Sequence, residues 1–145
     1  MKKSVILILI AVYVLSIAIV GFLGLNVRIY APNVPPTSIE ITHVTYLDQV
    51  KEPGINSEGQ KHIVIEGFSG DQVSAQLRIS VLPDNATDKS VIFSFDPGEN
   101  VSEKDGLIVF TRPTDGSNVI FITIKATLKE NKTIYDDIIV AVFFS

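Results

Sequence analysis

NVIFITIKATLKENKTIYDDIIVAVFF, residues 118–144, decides the fold. It holds two long runs, Asn118–Leu128 and Thr133–Phe144, joined by Lys129-Glu130-Asn131-Lys132. In the first, Ile120, Ile122, Ile124 and Ala126 recur at every second position; in the second, Ile138, Val140, Val142 and Phe144 do. That period of two is the signature of a β-strand with one face in a core. A half-buried antiparallel strand should carry polar residues on its other face. These two do not. Val119 and Phe121 share the outer face of the first run; Ile139, Ala141 and Phe143 share that of the second. If the runs are neighbours, these five, joined by Ile92, form an apolar outer patch, and such patches often mark interfaces. The competing explanation is cover from within the chain, by the loop Asp48–Gln60 or by the segment before residue 38.

The same period extends upstream. Ser38–Leu47, Lys61–Phe68, Val73–Leu82, Ser90–Phe95 and Gly106–Thr111 read as strands, with a short one near Val101. Ala75, Leu77, Ile79 and Val81 share one face of the third; Val91, Phe93 and Phe95 point inward from the fourth. Between them lie Ser69-Gly70-Asp71, Pro83–Lys89 and Arg112–Ser117, stretches rich in turn-forming residues. About seven strands with turn signals roughly every 8–12 residues and no amphipathic helix predict an all-β fold, a β-sandwich occupying residues 38–145. Asp48–Gln60 reads as a polar loop. Ile29–Thr37, with Pro32, Pro35 and Pro36, reads as a stiff stalk.

Ahead of the stalk, Ser4–Val27 is apolar and free of charge and proline, behind Lys2 and Lys3 and ahead of Arg28. A helix rises about 1.5 Å per residue, so roughly 20 such residues cross a hydrocarbon core of about 30 Å. Residues 1–28 therefore read as a transmembrane signal-anchor. The apolar run exceeds the roughly 7–15 residues of a cleaved signal, and GFLGLNVRIYAPN has no clear A-x-A-like site. Lys2 and Lys3 against Arg28 alone put the N-terminus in the cytoplasm and the C-terminal domain outside a single-pass membrane protein. A pilin-type leader lacks support, since no glycine precedes the run and no glutamate opens it.

The chain has 145 residues and a formal net charge of −4. All 16 acidic residues follow residue 28, and three of the 12 basic residues precede Ile29. The outer part is thus clearly acidic, which argues against nucleic acid and anionic membrane surfaces as partners. There is no cysteine, hence no disulfide, thiolate metal site or thiol nucleophile.

Gly70–Phe143 resembles the bacterial Ig-like domains of group two. Its GDQVSAQLRISVLPDNATDKSVIF, DGLIVF and DGSNVIFITIKATL follow that family's order: a strand, a P-x-x-A-T-x-K turn, an aromatic-bearing strand, a short strand, then a glycine before two closing strands. Leu82–Lys89 is the most specific part. Phe93 stands where the family usually has tryptophan, and the 13-residue stretch Asp48–Gln60 replaces a short gap in the first strand. The resemblance implies that the β-sandwich of residues 38–145 is Ig-like and stands at a cell surface, with a role in adhesion or assembly. That family shares no catalytic residues, so no site is carried over.

Chemistry beyond binding is weakly signalled. His43 and His62 are the only histidines, one in each of the first two strand segments, and no third ligand is evident. The carboxylate pairs Asp84/Asp88, Asp96/Glu99, Glu103/Asp105 and Asp136/Asp137 match no calcium-loop spacing. Asn85, Asn100 and Asn131 begin N-x-S/T sequons in predicted turns. The expectation is therefore a non-enzymatic module without metal or cofactor. It would bind a protein partner or itself through the last two strands, as a surface component or a small subunit of a membrane complex. A filament subunit with the helix in its core, and a secreted binding module, are the alternatives. In an Ig-like sandwich Pro83–Lys89 and Lys129–Lys132 would face the membrane, with Arg112–Ser117 and the Asp48–Gln60 loop pointing away.

Overall fold

The computed structural model describes residues 3–26 and 32–145. Lys2, Arg28 and residues 29–31 of the expected stalk lie outside the described residues. The described chain forms an apolar N-terminal helix and a β-sandwich, which are separate compact units, the second spanning Asn33–Ser145.

Helix α1 (Lys3–Asn26) has 24 residues and is about 36 Å long at the standard rise, long enough to cross a bilayer. From Lys3 to Val20 all its side chains are exposed. Ser16 Oγ donates to the Val12 carbonyl (2.8 Å), so its hydroxyl is satisfied within the helix.

Ten strands build the sandwich: β1 (Ser38–Tyr46), β2 (Gln49–Lys51), β3 (Gly54–Ile55), β4 (Lys61–Ile65), β5 (Gln72–Leu82), β6 (Val91–Asp96), β7 (Val101–Lys104), β8 (Leu107–Thr111), β9 (Val119–Leu128) and β10 (Tyr135–Phe143). One sheet runs β2-β1-β5-β8-β7 and the other β3-β4-β10-β9-β6. All pairings are antiparallel except β4 with β10. The period-two faces read from the sequence meet between the sheets, except in β1, where the ladder slips after Ile41 and Val44 and Tyr46 turn inward in place of His43. Ile41, Val44, Ile108 and Phe110 of the first pack with Ile65, Ile122, Ile124, Leu128, Ile138, Val140 and Val142 of the second. Each is almost wholly removed from water, worth about 1.5–3 kcal/mol apiece. No polar or charged residue is buried among those described.

The stretch 48–60 is not a loop. Residues 49–55 form β2 on the first sheet, pass Glu52-Pro53, and continue in the same direction as β3 on the second. The chain leaves β1 through a two-residue turn whose Leu47 (φ 46°) and Asp48 (φ 60°) are both left-handed. That geometry normally selects Asn-Gly, so this pair gave no hairpin signal. Proline 53 stands at the switch, where no ladder needs its missing N–H. The turn that follows is tied by Asn56, whose Oδ1 accepts from the N–H groups of Glu58 and Gln60 (2.9 Å each).

The second half of the expected stalk also differs. Val34 exchanges hydrogen bonds with Thr87, and the Thr37 N–H donates to the Leu82 carbonyl (2.7 Å). Pro36 is buried. Residues 34–37 are thus laid along the turn 83–89, and the β unit starts at Asn33 instead of Ser38.

These bonds define an Asn33 end of the sandwich. It carries the turns 83–89 and 129–132, the latter joined by Lys129 N–H to the Ser90 carbonyl. Because β4 runs parallel to β10, the Asn56–Gln60 turn lies at this end too. It does not point away from it, as the sequence suggested. The far end carries the 47–48 turn and residues 112–117. There Arg112 pairs with Asp71 (3.3 Å), donates to the Ser145 carbonyl (2.6 Å) and lies over the Phe144 ring, which meets Phe68 edge to face.

Near the Asn33 end a polar clamp joins the two sheets. Asp136 Oδ2 accepts from the Ile41 N–H (2.7 Å) and from Lys61 Nζ (2.6 Å). Lys61 also donates to the Ile41 carbonyl (3.3 Å) and lies 3.5 Å from Glu40. The ladder between β1 and β5 slips between Ile41 and His43. At that irregularity the Ile41 backbone finds side-chain partners across the sandwich.

Candidate interaction surface

The outer face of the second sheet carries the residues picked from the sequence. Register places Ala141 beside Phe121 on β9 and beside Val64 on β4. Phe143 faces Val119, and Ile139 lies between Thr123 and His62. The face therefore does combine β9 and β10 side chains into one patch toward the far end, with Phe121 61% exposed and Phe143 43%.

Four points differ from the sequence reading. Ala141 is only 8% exposed, because its methyl group sits between the larger Phe121 and Val64. It is the floor of the patch, not a contact surface. Val119 and Ile139 are half-buried. Ile92 is exposed but pairs with Thr127, six positions along β9 from Phe121 and at the Asn33 end, with Tyr135 on the far side of Thr127. It does not belong to the patch. Val64, 36% exposed, does. The sequence hid it because nothing in KHIVIEGF says that β4 lies parallel against β10. Neither the 48–60 segment nor residues 32–37 cover the two phenylalanines.

Polar groups frame this face. Lys125 lies over the Tyr135 ring (4.2 Å) toward the Asn33 end, and Asp137 pairs across from Lys125. His62 packs its ring against Gly54, where an added Cβ would come within 2.9 Å of Cε1. His43 lies in the other sheet, with Nε2 3.5 Å from Glu52. The two histidines occupy different sheets and separate partners. Among the described residues no three His, Asp or Glu side chains are grouped to hold a metal ion.

Two turn carboxylates are held below their ordinary value of 3.8. For Asp88 the causes are hydrogen bonds from the Ser90 side chain first and then its N–H. For Asp115 they are the Ser117 N–H first and then its side chain. Both are surface turn caps. Of the sequon asparagines, Asn85 and Asn131 are exposed and Asn100 is half-buried, with a left-handed backbone (φ 62°).

No protein-family model matches the chain, and comparison with curated proteins finds no relative.

Proposed function

We propose that this protein is a single-pass membrane protein that holds an Ig-like sandwich outside the membrane and binds a protein partner, without catalysis, through the outer face of its second sheet. The observation that carries the reading is the exposed cluster Phe121, Phe143 and Val64, seated on Ala141 and flanked by Val119 and Ile139. Large apolar side chains grouped on one face are costly to leave in water unless something covers them. The anchor is supported by a helix with no charge between Ser4 and Asn26 and a serine hydroxyl satisfied internally, as a lipid environment requires. The Ig-like reading is supported by strand order. The first strand belongs to one sheet beside β5, and its continuation β4 joins the other parallel to the last strand.

The test uses the full chain solubilised from membranes. Phe121→Asp and Phe143→Asp should keep a cooperative thermal transition, lowered by no more than about 10 °C, and strip away the proteins that co-purify with the unsubstituted chain. Loss of the fold in both variants would place these side chains in the core. Unchanged co-purification with intact folding would move the binding surface elsewhere. Intact-mass measurement checks the anchor: a mature chain starting near residues 25–30 would exclude it.

A further inference from the structure

The second sheet has another unguarded feature, separate from the patch. Strand β6 is its outermost strand, paired with β9 on one side and with no described strand on the other. Sheet edges are usually protected by shortness, charge, proline or a bulge. The other three are: β2 has three residues, β3 two, and β7 is Val-Ser-Glu-Lys. β6 is VIFSFD, six residues in unbroken register with β9, with no basic residue and no proline inside it.

Its free backbone can be read from the ladder. The Lys129 N–H bonds the Ser90 carbonyl, so Ser90 turns toward β9. Polar groups alternate sides along an antiparallel strand, so Ile92, Ser94 and Asp96 also turn toward β9. Val91, Phe93 and Phe95 therefore present both N–H and C=O to the open edge. The same three side chains point into the sandwich yet stay half-exposed, as do Leu77 and Ile79 on β5 opposite. The cause is that β8 pairs only with residues 72–75 of β5, leaving that flank of the core open.

We propose that β6 pairs antiparallel with β6 of a second copy of this chain, about a two-fold axis at Phe93. In that register Val91 faces Phe95 of the second copy and Phe93 faces Phe93, so every outward N–H and C=O of these residues finds a partner. The half-exposed inward rows of the two copies meet and complete each other's core flank. The exposed Ile92 falls opposite Ser94, and Asp96 falls opposite Ser90 beside Lys89, so no like charges are opposed. A heterologous strand would satisfy the backbone as well, but the self-pairing also matches side chains and charge with no further assumption.

The native chain has no cysteine, which makes single-cysteine cross-linking clean. Full-length chain in detergent micelles should be dimeric by light scattering. Mild oxidation should cross-link Phe93→Cys, whose partners lie about 5.5 Å apart at Cα in a hydrogen-bonded pair. Ser94→Cys, opposite Ile92 and not itself, should cross-link poorly. Ile92→Lys, an edge charge on an already exposed position, should keep the monomer fold by circular dichroism and weaken dimerisation about tenfold or more. A chain monomeric across the dilution series overturns the proposal. So does a dimer that survives Ile92→Lys, or one that cross-links at residue 94 in preference to 93.

Discussion

Removing the Asp136 carboxylate is the sharpest test of what holds the sandwich together near the Asn33 end. In the wild type one oxygen, Oδ2, serves both the Ile41 N–H and Lys61 Nζ. Asp136→Ala leaves the N–H unpaired, at about 1–3 kcal/mol for an orphaned donor. It also leaves the Lys61 ammonium without its nearest anion. Breaking a fully buried pair costs about 3–5 kcal/mol. Here both side chains keep about a fifth of their surface in water and Glu40 remains 3.5 Å away, so solvent and Glu40 recover much of that. A total near 2–3 kcal/mol follows. Asp136→Asn keeps an acceptor for Ile41 and loses the charge, and should cost about 1 kcal/mol. Lys61→Met should also cost about 1 kcal/mol, because Asp136 keeps its bond to Ile41. The pair is coupled through a shared oxygen, so Lys61→Met with Asp136→Ala should cost less than the sum of the single changes. Urea unfolding of the full chain in mild detergent, followed by far-ultraviolet circular dichroism, measures all four. A cost below about 0.5 kcal/mol for Asp136→Ala, or strict additivity, would refute the shared-acceptor reasoning.

Further consequences are quicker to check by thermal melts. Phe110→Ala removes a ring that is 1% exposed and should cost about 3–5 kcal/mol, whereas Phe121→Ala, mostly in water already, should cost about 1 kcal/mol. Leu47→Gly relieves a bulky residue from a left-handed turn and should stabilise the fold by up to about 1 kcal/mol, or be neutral once the added chain entropy is set against it; Leu47→Asn, which tolerates the same backbone with less freedom, should do better. Gly54→Ala turns the half-exposed His62 ring off its contact, a cost offset by the lost backbone freedom of glycine, and should leave the midpoint within a few degrees of wild type. Asp88 and Asp115 titrate lower in the fold than in the unfolded chain, so their contribution is complete above the ordinary value of 3.8 and fades as pH falls through their folded values. Melts of Asp115→Asn and wild type should therefore converge in strong acid, draw apart as pH rises toward 3.8, and be fully separated by about pH 5.

Much of the strand content is legible because the core of the chain follows one rule, broken only where β1 slips after Ile41. Ile120–Ala126 and Ile138–Phe144 alternate, and the alternation is what the fold buries. What escaped depends on pairing, which periodicity does not encode. Leu47-Asp48 makes a tight hairpin with residues that do not announce one, so β2 and β3 read as loop. Lys61 and Asp136 are polar residues 75 positions apart, and only the crossing of β1 over β4 and β10 brings them together. Periodicity puts Ala141 on the outer face, but its burial follows from the sizes of its cross-strand neighbours. Ile92 and Phe121 are both apolar and outward, and only the register separates them along β9. Ile29–Thr37 reads as a spacer from its prolines, yet Val34 and Thr37 have partners in residues 82–87.

The two proposed surfaces are connected by geometry, and this yields a final prediction. Both belong to the second sheet: the patch on its outer face at the far end, the free backbone along its β6 edge. Pairing two β6 strands antiparallel merges two such sheets about an axis perpendicular to them. The two patches then share one side of the merged sheet and lie toward opposite ends. Neither is covered, since Phe121 and Phe143 sit on β9 and β10, inside the edge strand. A dimer would thus present its partner with two equal sites, and a partner immobilised at high density would be held by both. Linking two sites raises apparent affinity by about 10²–10⁴ without any new contact. Ile92→Lys should therefore weaken binding to a dense partner surface strongly while leaving binding to a sparse, monomeric partner unchanged. Phe121→Asp should weaken both alike. Equal loss in the two formats for Ile92→Lys would mean that residue 92 touches the partner directly, and the separation of edge from face would fail.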